Sequence, residues 1–273
     1  MLSEDGLNGR YENLKETVRA LGKAAVSFSG GVDSTFLLKV CLDSLGAGNV
    51  IAVTAVSPTY PETERNEAGE LARQLGGRLV ILDATEMNNP DFVANKPDRC
   101  YHCKTELFKA IREVARKLGF SHIIEGSNID DLSDYRPGRR ACVEAGIMSP
   151  LMEAGLSKGD IRAISKDLGL ATHNKPAQAC LASRIPYGTA ITIERLKRIE
   201  LSEAFIKTLG VSQVRVRHHG NTARIEVEER DLPAVLESRD EIAEKLSIFG
   251  FTYVSLDLKG YRTGSMNDQI IKE

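Results

Sequence analysis

The sequence predicts an α/β protein: a doubly wound parallel sheet with a smaller C-terminal α+β domain. Three observations predict it. Over the first 170 residues, short β-branched and apolar runs alternate with helical stretches. The first such run passes through Ser29-Gly30-Gly31 straight into a helical stretch. Beyond about residue 170 the rhythm gives way to a polar, Pro- and Gly-containing segment and then to a hairpin pattern. The expected domains are therefore 1–170 and 171–273.

Taken in order, Leu7 to Leu21 has amphipathic helical spacing and Lys23 to Phe28 reads as a small buried strand. An apolar helix follows, stopped near Gly46 and Gly48. Val50 to Val56 is mostly β-branched, as a strand buried on both faces should be. Pro61 suits a helix start and Glu62 to Leu75 the crossover helix. Strand three spans Arg78 to Leu82, a helix Lys104 to Leu118, and strand four begins at His122 to Glu125. Ser157-Lys158-Gly159-Asp160 has capping-box spacing ahead of a helix over Ile161 to Leu168. Thr172 to Thr192 is expected to be a loop. A helix (Ile193 to Leu209), a hairpin (Gln213 to His218 with Ala223 to Glu228), a helix (Asp231 to Leu246) and a strand (Thr252 to Leu258) complete an α-β-β-α-β unit.

Composition excludes several classes. No run of eighteen apolar residues occurs, so no membrane span is predicted. The formal net charge is -2, without the basic excess of a nucleic-acid binder. Met1 to Arg10 has no apolar core of a secretory signal, and five cysteines are an odd number. Both point to reduced thiols in the cytoplasm. Cys41 and Cys142, among small and apolar neighbours, are expected to be inert.

Ser29-Gly30-Gly31-Val32-Asp33-Ser34 carries the strongest chemical signal. Two glycines after a strand let the backbone turn tightly and approach a ligand. Successive N–H groups at a helix N-terminus then form an anion nest. Ser29 and Ser34 can add hydroxyl donors, and Asp33 can hold a magnesium ion bridging phosphate oxygens. The plain alternative is a glycine turn in which Asp33 or Ser34 is the N-cap.

This hexapeptide resembles the signature of the PP-loop ATP pyrophosphatases, enzymes of adenine nucleotide alpha-hydrolase-like fold that cleave ATP between the α and β phosphates. The resemblance implies that the loop grips pyrophosphate and that the purine lies along the end of strand two, near Thr54 to Ser57. Four more segments narrow it: Arg99-Cys100-Tyr101-His102-Cys103-Lys104, Glu125 to Asp131 with Asp134 to Gly138, Pro176 to Gly188, and Asp257 to Ser265. Together they are similar to the ATP-dependent sacrificial sulfur transferases of the LarE type, over essentially the whole chain. That resemblance implies a small-molecule nucleotide substrate, pyridinium-3,5-biscarboxylic acid mononucleotide. Its carboxylates are adenylated and become thiocarboxylates for the nickel-pincer cofactor of lactate racemase. It also implies ATP and magnesium as cofactors, a homo-oligomer, hand-off to a nickel-inserting enzyme, and no nucleic-acid or membrane partner. Gly126 falls within the second of these segments and joins the expected nucleotide site.

Cys180 is the expected catalytic residue. It stands in a polar loop with Lys175 and Arg184 close in sequence, cations that would favour its thiolate. Attack on an acyl-adenylate gives a thioester. Loss of the α-proton then breaks the Cβ–S bond and leaves dehydroalanine on the chain. Cys100 and Cys103 admit several readings: a redox dithiol, half a zinc site, iron–sulfur ligands, or simply the start of a helix. With Cys180 they number three thiolates, enough for a [4Fe-4S] cluster with one open iron that could hold a hydrosulfide.

Asp130 and Asp131 can take magnesium or ribose hydroxyls, or serve as an N-cap. Arg215 and Arg217 alternate along the hairpin, so they share a face suited to a phosphate or carboxylate. The family resemblance implies the substrate's phosphate. The plain alternative is a solvated surface. Glu226 on the partner strand can bind metal or neutralise an arginine, and His218 and His219 are expected at the surface.

Overall fold

The computed structural model describes residues 4–132, 137–176 and 179–262. The motif residues at 134–136, 177–178 and 263–265 lie outside them. In chain order the helices are α1 (Glu4–Leu21), α2 (Val32–Leu45), α3 (Glu62–Gln74), α4 (Pro90–Val93), α5 (Arg99–Lys117), α6 (Gly138–Glu144), α7 (Pro150–Glu153), α8 (Lys158–Asp167), α9 (Ile193–Thr208), α10 (Leu232–Glu237) and α11 (Arg239–Ile248). The strands are β1 (Ala24–Ser27), β2 (Val50–Val56), β3 (Arg78–Asp83), β4 (His122–Ile124), β5 (Val214–His219), β6 (Thr222–Val227) and β7 (Tyr253–Leu256).

These elements pack as two compact units. The first comprises residues 1–57, 62–89 and 100–178, and the second 58–61, 90–99 and 179–273.

In the first unit all pairings are parallel and the strand order is β3-β2-β1-β4. Alternation along the strands feeds two cores. Ala24, Val26, Val50 and Ala52 pack with α1, α2 and α8 on one face. Ala25, Ile51 and Val53 pack with Phe108, Ile111 and Ala115 of α5 on the other. The chain grows outward from β1 to β3, then returns to place β4 on the other side of β1. That reversal puts the segments after β1 and β4 side by side at the carboxyl edge, where doubly wound sheets bind ligands.

In the second unit β5 and β6 form an antiparallel hairpin, and β7 joins β6 in parallel. Val214, Val216, Ile225 and Val227 meet Ile206 of α9 and Ile242, Leu246 and Phe251 in a separate core.

Three expectations change. The helix expected from Lys104 starts at Arg99, so both cysteines of the C-x-x-C pair lie on it. The helix expected over Asp231 to Leu246 is two, α10 and α11, which meet at Ser238. There φ is -91° and ψ 12°, away from helical values; the Ser238 N–H closes α10 on Ala234 and its carbonyl opens α11 by accepting from Ile242. The stretch Thr172 to Thr192 is not plain loop, since single 3-10 turns cover Ala171–Asn174 and Leu181–Arg184. Among the described residues no helix is long and apolar enough to cross a membrane.

Candidate active site

The loop after β1 is built by its own hydroxyls. Ser29 and Ser34 Oγ lie 3.1 Å apart, the Ser29 N–H donates to Ser34 Oγ (3.3 Å), and Gly31 N–H donates to Ser29 Oγ (3.3 Å). Gly31, not Asp33 or Ser34, is the N-cap of α2, and it caps without a side chain. Gly30 has φ +71°, and a Cβ there would stand 2.9 Å from Ala68 Cβ. Gly126, just past β4, is also tightly placed: a Cβ would lie 3.1 Å from Ser34 N and 3.2 Å from Asp33 Cβ. Only glycine lets the two segments approach this closely.

Asp33 pairs with Lys158 at the start of α8 and faces Asn128 Nδ2 at 3.5 Å. Asn128 N–H in turn donates to Asp131 Oδ2 (3.0 Å), so both carboxylates border one asparagine. Asp130 accepts the Lys158 N–H (2.8 Å), the first free N–H at the start of α8. Lys175, expected near Cys180, instead donates to the Gly30 carbonyl (3.2 Å) and pairs with Glu67 (2.9 Å). Ser57, after β2, donates its hydroxyl to Glu86, a carboxylate only 3% exposed.

Behind Gly126, Glu125 accepts from Lys104 Nζ (3.3 Å), Ser149 Oγ (2.6 Å) and Ser127 N–H (3.1 Å). Burial alone would raise the Glu125 carboxyl, but the ammonium and these hydrogen bonds outweigh it and hold it below the ordinary carboxylate value. Burial would likewise lower Lys104, and Glu125 more than reverses that. A carboxyl depressed by folding stabilises the native state above its unfolded pKa, and that stability is lost as pH falls through the lower, folded value. Glu125→Gln should therefore flatten the acid side of the stability curve below about pH 4.5 and lower stability at neutral pH, as thermal melts across pH 2–7 would read.

In the second unit Cys180 is half-buried at the start of the turn Leu181–Arg184. Arg184 is 2% exposed and does not stand as a free cation beside the thiol. Its Nε and Nη2 donate to Glu203 Oε1 (2.9 Å) and Oε2 (3.0 Å), and its Nη1 to the carbonyls of Ala179 and Cys180. Glu203 also accepts the Val216 N–H of β5 (3.0 Å). Burial would raise its carboxyl, yet Arg184 holds it below the usual range. Breaking such a buried pair by removing one partner costs roughly 3–5 kcal/mol.

Arg215 and Arg217 share a face of β5, and it is buried, not solvated: they are 4% and 5% exposed. Glu226, cross-strand from Arg215 and fully buried, accepts from Arg217 Nη2 (2.7 Å) and Arg224 Nη2 (2.9 Å). Here it is an arginine counter-ion. The Arg215 guanidinium lies 5.4 Å from the Tyr261 ring, and burial and the nearby Arg184 lower its pKa. Arg184, Arg215, Arg217, Glu203 and Glu226 are all buried. His218, expected at the surface, is buried against Phe251, and burial keeps it below the ordinary histidine value.

The family model described as NAD synthase matches residues 7–113. A protein of Lactiplantibacillus plantarum named pyridinium-3,5-bisthiocarboxylic acid mononucleotide synthase is 38% identical over 95% of this chain and 94% of its own length. The chain belongs to the LarE family of PP-loop enzymes. Uncharacterised proteins of Synechocystis sp. (43% identical, 97% of this chain and all of theirs) and Methanocaldococcus jannaschii (32%, 92% and 95%) are similar over the same span.

The three cysteines read together from the sequence fall in different units. Cys100 is exposed and Cys103 half-exposed on the first turn of α5, in the first unit, while Cys180 belongs to the second. Among the described residues no group of three or more His, Cys, Asp or Glu is gathered as metal ligands would be. A [4Fe-4S] cluster therefore draws no support here. Magnesium asks less, one or two hard carboxylates beside substrate phosphates, and Asp33 with Asp131 suits it.

Several residues of this LarE chain were invisible to sequence reasoning. Lys158 carries no motif that announces its pairing with Asp33, 125 residues away. Glu203 sits in an ordinary helical stretch. Asn95 is fully buried at φ 54° and its amide donates to the carbonyls of Ile185 (3.2 Å), Pro186 (2.8 Å) and Thr189 (2.9 Å), holding the segment that follows Cys180. A lone Asn between Ala94 and Lys96 gives no such signal.

Proposed function

We propose that this chain is an ATP-dependent sulfur transferase that adenylates the carboxylates of pyridinium-3,5-biscarboxylic acid mononucleotide, releasing pyrophosphate, and converts them to thiocarboxylates with sulfur from Cys180. The observation that carries the reading is the match to the L. plantarum synthase across 95% of the chain, both units included.

The chemistry of the residues supports it. The N–H groups and hydroxyls of Ser29 to Ser34 suit the β and γ phosphates. Magnesium, when bound, would be held by Asp33 and Asp131 and would neutralise charge on the phosphate oxygens. Ser57 and Gly126 border the nucleotide. The buried guanidinium groups of Arg215 and Arg217, on one face of β5, suit a phosphate, which each can meet with charge-assisted hydrogen bonds. Arg215 and Arg217 take the substrate's phosphate, with Glu226 fixing the guanidinium geometry. Cys180 attacks the adenylate carbon, AMP leaves, and a thioester joins substrate to protein. Assembly as a homo-oligomer and hand-off of the product to a nickel-inserting enzyme belong to the same proposal.

The test is anaerobic intact-protein mass spectrometry before and after ATP, magnesium and the dicarboxylate mononucleotide. Conversion of Cys180 to dehydroalanine removes the elements of hydrogen sulfide, about 34 Da, as expected of a nucleophile that surrenders its own sulfur. Thiolated product from a protein of unchanged mass would overturn Cys180 as the source.

A further inference from the structure

We propose that the carbonyl oxygen of Cys180 lies in an oxyanion hole, made by Ser183 N–H and the Arg184 guanidinium, that drives the α-proton loss by which the cysteine gives up its sulfur. The inference rests on the sacrificial reading above and assigns the residue that makes its hardest step feasible.

Two donors meet on one oxygen. Ser183 N–H lies 2.9 Å and Arg184 Nη1 3.0 Å from Cys180 O. The first is the ordinary bond of a 3-10 turn. The second is not required by any turn: it brings a full positive charge, 2% exposed and gripped at its other edge by Glu203 through two bonds of 2.9 and 3.0 Å. Ser183 Oγ (2.9 Å) and the Ala179 carbonyl complete the setting of the same Nη1. The guanidinium therefore cannot swing away, and water screens it little.

The place of the charge identifies the step. A cation meant to lower the thiol pKa belongs beside Sγ, whereas Arg184 meets the residue at its carbonyl oxygen. That oxygen gains charge in only one part of the sequence. Once Cys180 Sγ carries the acyl group, a Brønsted base from solvent or a side chain takes the Cα proton. The electron pair left on Cα delocalises onto Cys180 O, where the two donors receive it. The pair then forms the Cα=Cβ bond and the Cβ–Sγ bond breaks. Sulfur leaves with its bonding electrons as the substrate thiocarboxylate, dehydroalanine stays in the chain, and no oxidant or reductant is needed. An ordinary peptide α-proton is far too weakly acidic for this. Donors 2.7–3.1 Å from the developing oxyanion, fixed in advance, are what lowers such a barrier. Glu203 acts through Arg184 and is a positioning residue.

The experiment is a single-turnover time course by intact mass on the full-length protein with ATP, magnesium and the dicarboxylate mononucleotide. Wild type is compared with Arg184→Lys and with Arg184→Met/Glu203→Gln, which removes both members of the Arg184–Glu203 pair together. Melting curves establish that each variant is folded. The expected result is accumulation of the covalent substrate–protein thioester, with dehydroalanine formation slowed by about 10²–10³-fold, the usual loss on removing one oxyanion donor. Lysine should recover part of the rate. Dehydroalanine appearing at the wild-type rate in the folded double variant would overturn the inference while leaving the sacrificial reading intact. A folded variant that forms neither adduct nor dehydroalanine also counts against it, since Arg184 would then only scaffold the loop. Failure of wild type itself to lose sulfur would instead sink the sacrificial reading.

Discussion

Replacing Cys180 by alanine is expected to reduce thiolated product to background while ATP is still cleaved to pyrophosphate in the presence of the dicarboxylate mononucleotide. The two half-reactions are separable because they draw on different groups. In the proposed reaction, adenylation draws on the loop from Ser29 to Ser34 and the carboxylates around Asn128, all in the first unit. Sulfur release there draws on the Cys180 thiol in the second. Serine at 180 is the sharper control. Its hydroxyl can take the acyl group, but the ester carries no sulfur, so only carboxylate returns. Mass analysis of the nucleotide product, alongside a pyrophosphate assay, reads both halves. Continued thiolation by either variant would place the sulfur source elsewhere.

The second large effect is expected at Gly30. Gly30→Ala faces two penalties at once. Its φ of +71° is one that L side chains rarely adopt, and its Cβ would fall 2.9 Å from Ala68 Cβ and 3.0 Å from Ala68 Cα on α3. Strain of this kind costs about 1–3 kcal/mol. For a chain of this size, each kcal/mol lowers the melting temperature by roughly 2–4 °C. The larger effect is on chemistry. Relief requires the phosphate loop or α3 to move, and a shift of about 1 Å in a positioning group can cost roughly 10²-fold in rate. Gly22→Ala separates the two penalties, since Gly22 has φ +66° and a Cβ there would have nothing within 4 Å. It should lower the melting temperature and leave pyrophosphate release near the wild-type rate. Equal losses of activity in both variants would mean that loop geometry is not what Gly30 protects.

The phosphate loop was legible because its information is local. Two glycines, two serines and an aspartate within six residues, between a strand and a helix, build the nest from bonds spanning at most five positions. The parallel sheet was legible for a similar reason, as alternation in the Ala24–Ser27 and Val50–Val56 strands already assigns side chains to two covered faces. The shared face of Arg215 and Arg217 followed from strand periodicity alone.

What that face touches did not. Periodicity cannot tell a solvated row of charges from a buried one, and only the folded chain shows that Arg215 and Arg217 are buried. The same holds for the ion pairs between distant segments. Asp33 finds Lys158 across 125 positions, Glu125 finds Lys104 across 21, and Arg184 finds Glu203 across 19. Ion pairs between distant segments leave no pattern in the chain, since a buried charge needs only a partner of opposite sign brought to it by the fold. By itself the sequence determined the glycine-and-hydroxyl turn between β1 and α2 and the shared face of Arg215 and Arg217. Only the tertiary structure decided that Arg184 meets Cys180 at its carbonyl oxygen, because that contact depends on Glu203 arriving from another helix to hold the guanidinium still.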